Sequence, residues 1–180
     1  MSVISIEIGV IAVVLAVIGI LMQIPQDKLE LGLMDVAFKD SVGVNKQPAR
    51  LLLVAVRNKD KRKTARNCYV FMKSLRNAET GEEYIKEVFG LTWSEYKSPS
   101  AHILPETYRE FNSFLRMKSR SDMPLMDDFF DSDQLIPPTQ GLADLIAEYW
   151  VVSDNFKIAK GVFVIHLDKD MDKVSISKKQ

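Results

Sequence analysis

The sequence predicts an all-β domain, a sandwich of two sheets, carried on a single N-terminal membrane helix. Three observations predict it. Residues 8–22, IGVIAVVLAVIGILM, contain no charged or strongly polar side chain, and apolar positions continue on either side. From Leu29 onwards apolar residues recur with a period of two, or in short unbroken runs, the two patterns that strands produce. Clusters of Asn, Asp, Gly, Pro and Ser separate those runs, and no second long helical segment is evident.

The anchor comes first in the chain. An apolar run of about 20 residues crosses a hydrocarbon core of roughly 30 Å as a helix, and a helix satisfies its own backbone groups where lipid offers no partner. Residues 1–26 are therefore assigned to a transmembrane anchor and 27–180 to one soluble domain, of a size that suits a single core. A secretory signal carries a basic n-region and a small-x-small cleavage site. Here no Lys or Arg precedes the apolar run and residues 24–26 read Ile-Pro-Gln, so the anchor is expected to be retained. Gly9, Ala12, Ala16 and Gly19 form a small-residue stripe suited to lateral helix packing. Glu7 is similar to the glutamate near the start of type IV pilins, but lacks the basic leader and the Gly that precede it there; the simpler reading is a carboxylate at headgroup level. The expected location is the cell membrane, single-pass. Only Lys28 stands close to the C-terminal end of the anchor, so the positive-inside rule leaves the side of the domain open.

Pro25 ends the helix. Residues 29–38 alternate, with Leu29, Leu31 and Leu33 on one face and a slip at Met34 and Asp35 that predicts a bulge. Residues 50–57, RLLLVAVR, read as a strand buried on both faces. After the polar turn 58–63, residues 65–75 form a second strand, with Cys68, Val70 and Met72 on one face and Tyr69 and Phe71 on the other. These two strands are expected to pair as a hairpin. A turn at 77–82 leads to a short strand at 91–93. Residues 102–117 fit either period; Pro105, Thr107 and the aromatic alternation favour a strand. Residues 119–140 form an irregular insert with Pro124, Pro137 and Pro138, and 142–150 are expected to begin as a helical turn. Short β-branched strands at 150–159, 162–167 and 174–177 complete seven or eight strands, a sandwich.

The motifs V-A-V-R-N at 54–58 and T-A-R-N-C-Y-V at 64–70, on either side of a basic loop, resemble the signature of immunoglobulin-like sandwich domains of the prokaryotic cell-adhesion-related type, as in membrane-anchored archaeal and bacterial proteins. L-T-W-S at 91–94 and I-L-P-E-T-Y-R at 103–109 are similar to further blocks of that pattern. The resemblance implies an immunoglobulin-like β-sandwich with a binding role, and carries over no catalytic residue. The chain departs from the family at Lys59, where a Gly commonly follows the Asn, and in its long acidic insert.

Two segments stand out as interaction candidates. Lys59, Lys61, Arg62, Lys63 and Arg66 form a basic cluster able to hold phosphates or anionic headgroups, each cation contributing about 1 kcal/mol at an anionic surface. Its plainer reading is a solvated hairpin tip. No interleaved aromatic platform accompanies it, and the formal net charge is zero, so no specific nucleic-acid partner is expected. The insert, to about residue 148, interleaves Phe129 and Phe130 with carboxylates and lacks Lys and Arg from 121 onwards. Asp127, Asp128, Asp131 and Asp133 are oxygen ligands of the kind Ca²⁺ takes, without the Gly and closing Glu of an EF-hand loop; a partner-docking loop or a plain surface loop is the alternative. The basic and acidic segments also suit pairing within the chain or between copies.

Cys68 is the only cysteine, so neither an internal disulfide nor a cysteine zinc site is available. It reads as a buried thiol, His166 as a satisfied strand histidine, and Trp93 and Trp150 as core or interface aromatics. No phosphate loop, paired carboxylates or nucleophile motif is visible, and no cofactor is implied. The expected function is binding: a non-catalytic accessory or scaffold subunit of a membrane complex, with the lipid bilayer and other membrane subunits, or another copy, as partners. The alternatives are a surface adhesin or pilin-like filament subunit and a membrane-bound ligand sensor.

Overall fold

The structure, a computed structural model, describes residues 28–34, 38–42, 48–85, 87–95, 98–117, 123–124, 135–136 and 143–179. Among them the chain is all-β. The strands are β1 (Leu29–Gly32), β2 (Phe38–Val42), β3 (Pro48–Asn58), β4 (Ala65–Asn77), β5 (Phe89–Leu91), β6 (Ser100–Ile103), β7 (Tyr108–Met117), β8 (Met123–Pro124), β9 (Leu135–Ile136), β10 (Leu145–Val152), β11 (Ala159–His166) and β12 (Ser175–Lys178). All pairings are antiparallel.

The first sheet is centred on β3, with β7 along one edge and β1 and β2 end to end along the other. Gly32 lies opposite Ala55 and Phe38 opposite Leu52, so β1 and β2 pair with β3 as two separate strands. The slip expected at Met34 and Asp35 involves Asp35, which lies outside the described residues. The second sheet runs β12–β11–β10–β4, with β5 and β6 sharing the far edge of β4. Between β5 and β6 the chain leaves this sheet and bridges to β7 at Trp93 and Phe111. β8 and β9 form a separate two-residue ladder.

The core lies between the sheets, and the alternation along each strand decides what enters it. Leu52, Val54 and Val56 of β3 meet Cys68, Val70, Met72 and Leu75 of β4, Leu145, Ala147, Tyr149 and Val151 of β10, and Phe163 and Ile165 of β11. Leu51, Leu53 and Ala55 on the other face of β3 are also buried, as its unbroken apolar run requires. An aromatic series crosses the middle: Trp93 to Phe111 at 6.3 Å, Phe111 to Tyr149 at 5.2 Å, Tyr149 to Phe163 at 5.7 Å, edge-to-face or tilted. Beside it β7 bulges. Leu52 pairs with Phe114 and Leu53 with Asn112, which leaves Ser113 as the extra residue. Its carbonyl accepts from the Tyr149 hydroxyl at 3.3 Å, and its own hydroxyl donates to the Leu52 carbonyl at 2.9 Å.

Three sequence expectations are corrected. β3 and β4 do not form a hairpin: they belong to opposite sheets, and the turn between them crosses the sandwich. Each needs its apolar face on the same core from opposite sides, which adjacent pairing in one sheet cannot give. Residues 102–117 hold the end of β6 and the whole of β7, strands of different sheets, with the break around Pro105. Residues 145–152 are a strand throughout, with no helical turn, and regular pairing stops at Val152 and resumes at Ala159.

At Gly161 the two sheets leave no room for a side chain. A Cβ added there would stand 2.8 Å from the Phe163 ring and 3.0 Å from the Cβ of Leu31 in the opposite sheet. The Leu31 Cβ moves only with its backbone. Gly161→Ala is expected to destabilise the domain by about 1–3 kcal/mol, read as a lower urea midpoint with unchanged denaturant dependence; an unchanged midpoint would show that the two sheets can part there freely.

Candidate functional site

The chain enters the domain at one end of the sandwich, and the basic cluster lies at that same end. Leu29 pairs with Asn58, and the Lys59 N–H donates to the Lys28 carbonyl at 2.7 Å. Asn58 closes β3 and is fully buried although polar. Its amide donates to the carbonyls of Lys63 at 2.8 Å and Ile103 at 3.0 Å, and its side-chain oxygen accepts the Asp60 N–H at 2.9 Å. One side chain thus fixes the β3–β4 turn and ties it to β6. The turn is built on two nested Asx contacts: the Asp60 carboxylate accepts the N–H groups of Arg62 at 2.7 Å and Lys63 at 2.8 Å. Those two N–H bonds, Arg62's first, hold the Asp60 carboxyl below its usual range. The contribution of this carboxylate is present above the ordinary Asp range and is lost as pH falls through its lowered value. With the backbone so held, the side chains of Lys61, Arg62 and Lys63 are left exposed to solvent. Lys59 pairs with Glu30 at 2.5 Å, and that bond lowers the Glu30 carboxyl.

Two further turns join this pole. In the β6–β7 turn, Thr107 accepts the Asn58 N–H and the Glu106 N–H donates to the Asp60 carbonyl. In the β10–β11 turn, the Asn155 amide donates to the Thr64 carbonyl, and its oxygen accepts the Arg66 N–H. Asn67 sits in the left-handed region, φ 47°, which Asn tolerates better than most residues. Its N–H donates to His102 Nδ1 at 3.1 Å and its amide to Asp154 at 2.6 Å. These turns carry exposed apolar side chains: Leu104 is 57%, Tyr108 at the start of β7 48%, and Ile158 47% exposed.

The sequence-predicted basic residues Lys59, Lys61, Arg62, Lys63 and Arg66 are therefore gathered on one pole, but on a turn that crosses between sheets and not on a hairpin. Asp127, Asp128, Asp131, Asp133, Phe129 and Phe130 lie outside the described residues, as do Gly9, Ala12, Ala16 and Gly19 of the anchor. Leu104, Tyr108 and Ile158 were not singled out by sequence, because nothing local marks them as neighbours. Asn58 had a signal in retrospect: a strand ending in Asn two residues before a turn carboxylate.

Elsewhere, His166 Nδ1 lies 2.8 Å from Asp144 Oδ2 and Nε2 lies 2.9 Å from Ser177 Oγ. An ionised carboxylate can only accept, so Nδ1 carries the proton and, in the neutral ring, Nε2 accepts from Ser177. That is the hydrogen-bond order of a Ser-His-Asp triad. The His166 and Asp144 side chains are 44% and 40% exposed on the outer side of the second sheet, where water competes for each bond, and the three tie neighbouring strand ends together as a clasp. Trp150, on the same outer side, lies under the ammonium groups of Lys160 at 4.4 Å and Lys73 at 5.5 Å, with its indole N–H on Glu148.

Cys68 is fully buried, and burial, with Asp154 second, pushes its thiol from 9.0 up to about 12. The folded state then keeps a proton that the unfolded chain releases, so stability is intact below 9.0 and falls as pH rises towards about 12. Iodoacetamide at neutral pH is expected to modify Cys68 only on unfolding; rapid labelling of the native chain would contradict its burial. No protein-family model and no curated protein sequence matches this chain.

Proposed function

We propose that the chain is a single-pass membrane protein whose immunoglobulin-like sandwich binds partners as a non-catalytic accessory or scaffold subunit of a membrane complex. The observation that carries this reading is the apolar segment at 8–22, which runs through Pro25 almost directly into β1 and so delivers the domain at the membrane surface. The strand order supports the immunoglobulin-like assignment. β1/β2, β3 and β7 correspond to strands A, B and E of that fold, facing β4, β10 and β11 as C, F and G. β5 and β6 lie beside β4 where strand D would pair with E, and β12 is an addition beyond β11.

The test is membrane extraction combined with protease protection of a C-terminal epitope. Retention in the pellet at alkaline pH, with release by detergent, is the expected result; release by alkali alone would refute the anchor. Digestion in intact cells would set the domain outside and favour an extracytoplasmic complex, whereas protection until lysis would favour a scaffold on the inner side.

A further inference from the structure

We infer that the pole formed by the β3–β4, β6–β7 and β10–β11 turns rests on the anionic lipid headgroups of the bilayer that holds the anchor. The inference builds on the anchored reading above and names what this pole touches. Four residue steps separate Ile24 from Lys28, and an extended chain spans at most about 14 Å over that length. Lys59 is hydrogen-bonded to Lys28, so the basic turn cannot stand far from the end of the membrane helix. That distance is comparable with a Debye length of about 8–10 Å at physiological salt, within which surface charges act.

The composition of the pole fits a headgroup layer. Lys61, Arg62 and Lys63 are exposed cations on a turn whose backbone is already satisfied by Asp60. Arg57, Arg66, Lys28 and the Glu30-paired Lys59 bring the cations to seven, against four acids, Glu30, Asp60, Asp154 and the exposed Glu106, so the pole keeps a positive excess. Leu104, Tyr108 and Ile158 supply exposed apolar groups beside the cations, the pairing that holds peripheral segments at a bilayer interface. A nucleic-acid partner would require a platform of base-stacking aromatics interleaved with the cations; among the described residues the exposed large aromatics on this side are Tyr108 and, further along β4, Tyr69. The domain is thereby oriented, with the far ends of β4, β7 and β11 directed away from the membrane.

The full-length chain reconstituted in nanodiscs tests this, and the buried Cys68 leaves an introduced cysteine as the reactive one. A bimane label at Leu104→Cys is expected to be quenched by headgroup-level spin-labelled lipid in discs containing phosphatidylglycerol, and several-fold less in phosphatidylcholine discs. High salt, or the triple variant Lys61→Glu/Arg62→Glu/Lys63→Glu, should remove that difference, because only the side chains and not the turn's backbone bonds are changed. A label at Glu79→Cys, in the turn after β4 at the opposite end, should remain unquenched throughout. Chains that co-migrate with the discs but show equal, low quenching at both positions overturn the inference, and leave an acidic protein partner as the occupant of this pole. Chains that fail to enter the discs overturn the anchored reading itself, a different and separately visible result.

Discussion

Trp93→Ala is expected to cost about 3–5 kcal/mol of stability, a large share of the 5–15 kcal/mol typical of a domain. The indole is fully buried and stands at the head of the aromatic series that runs through Phe111 and Tyr149 to Phe163. It also supplies a polar bond: Nε1 donates to the Cys68 carbonyl at 3.0 Å in the opposite sheet, which alanine would leave without its partner. The backbone around it joins β7 of the first sheet, through Ser94 N–H to the Glu110 carbonyl and Asn112 N–H to the Thr92 carbonyl, directly after β5 has paired with β4 of the second. Urea unfolding of the full chain in detergent, followed by the fluorescence of Trp150, measures the loss. Trp93→Phe keeps most of the volume but not the N–H, and should recover roughly half. A loss below about 1 kcal/mol for alanine would mean that the core collapses around the gap.

Asn58→Ala is the second large effect, at about 2–4 kcal/mol. The variant strands two carbonyls and one N–H that a single side chain now satisfies, each worth about 1–3 kcal/mol when buried. The sum is reduced because the turn lies at the surface and water can reach part of it. Asn58→Asp is a sharper probe: the oxygen facing Asp60 N–H survives, but a carboxylate would confront the carbonyls of Lys63 and Ile103. It should be no more stable than alanine at neutral pH. Amide exchange at Asp60 rising together with that of Arg62 would show that the turn loosens as a unit; a stable Asn58→Ala protein with a protected Asp60 amide would contradict this account.

The all-β class, the strands expected at 50–57 and 65–75 and the two faces of the second were legible in the sequence, because Cys68, Val70 and Met72 alternate with Tyr69 and Phe71. What was not legible is which strands share a sheet. Six residues between β3 and β4 allow either a hairpin or a crossing, and the choice is made by β7 and β10, far along the chain, which take the free edges. β10 escaped because Ile146, Trp150 and Val152 on its outer face are as apolar as Leu145, Ala147, Tyr149 and Val151 on its inner one, which erases the period of two. The candidate site divides in the same way. Its cations are contiguous and visible, whereas its apolar members come from positions 104, 108 and 158 and meet only once the strands are placed.

The broken edges have a consequence for crowding. Among the described residues, three of the four lateral boundaries are short or divided: β1 and β2 pair with β3 as separate strands, β5 and β6 are separated by an excursion to the other sheet, and β12 is four residues long, whereas β7, ten residues long, is continuous and bridged by Trp93 at Phe111. A neighbouring chain seeking to template itself onto a short or divided boundary finds only short rows of backbone groups. Copies concentrated in the plane of a membrane would therefore meet through side chains at three of the four boundaries, and strand-templated growth is left only the edge at β7.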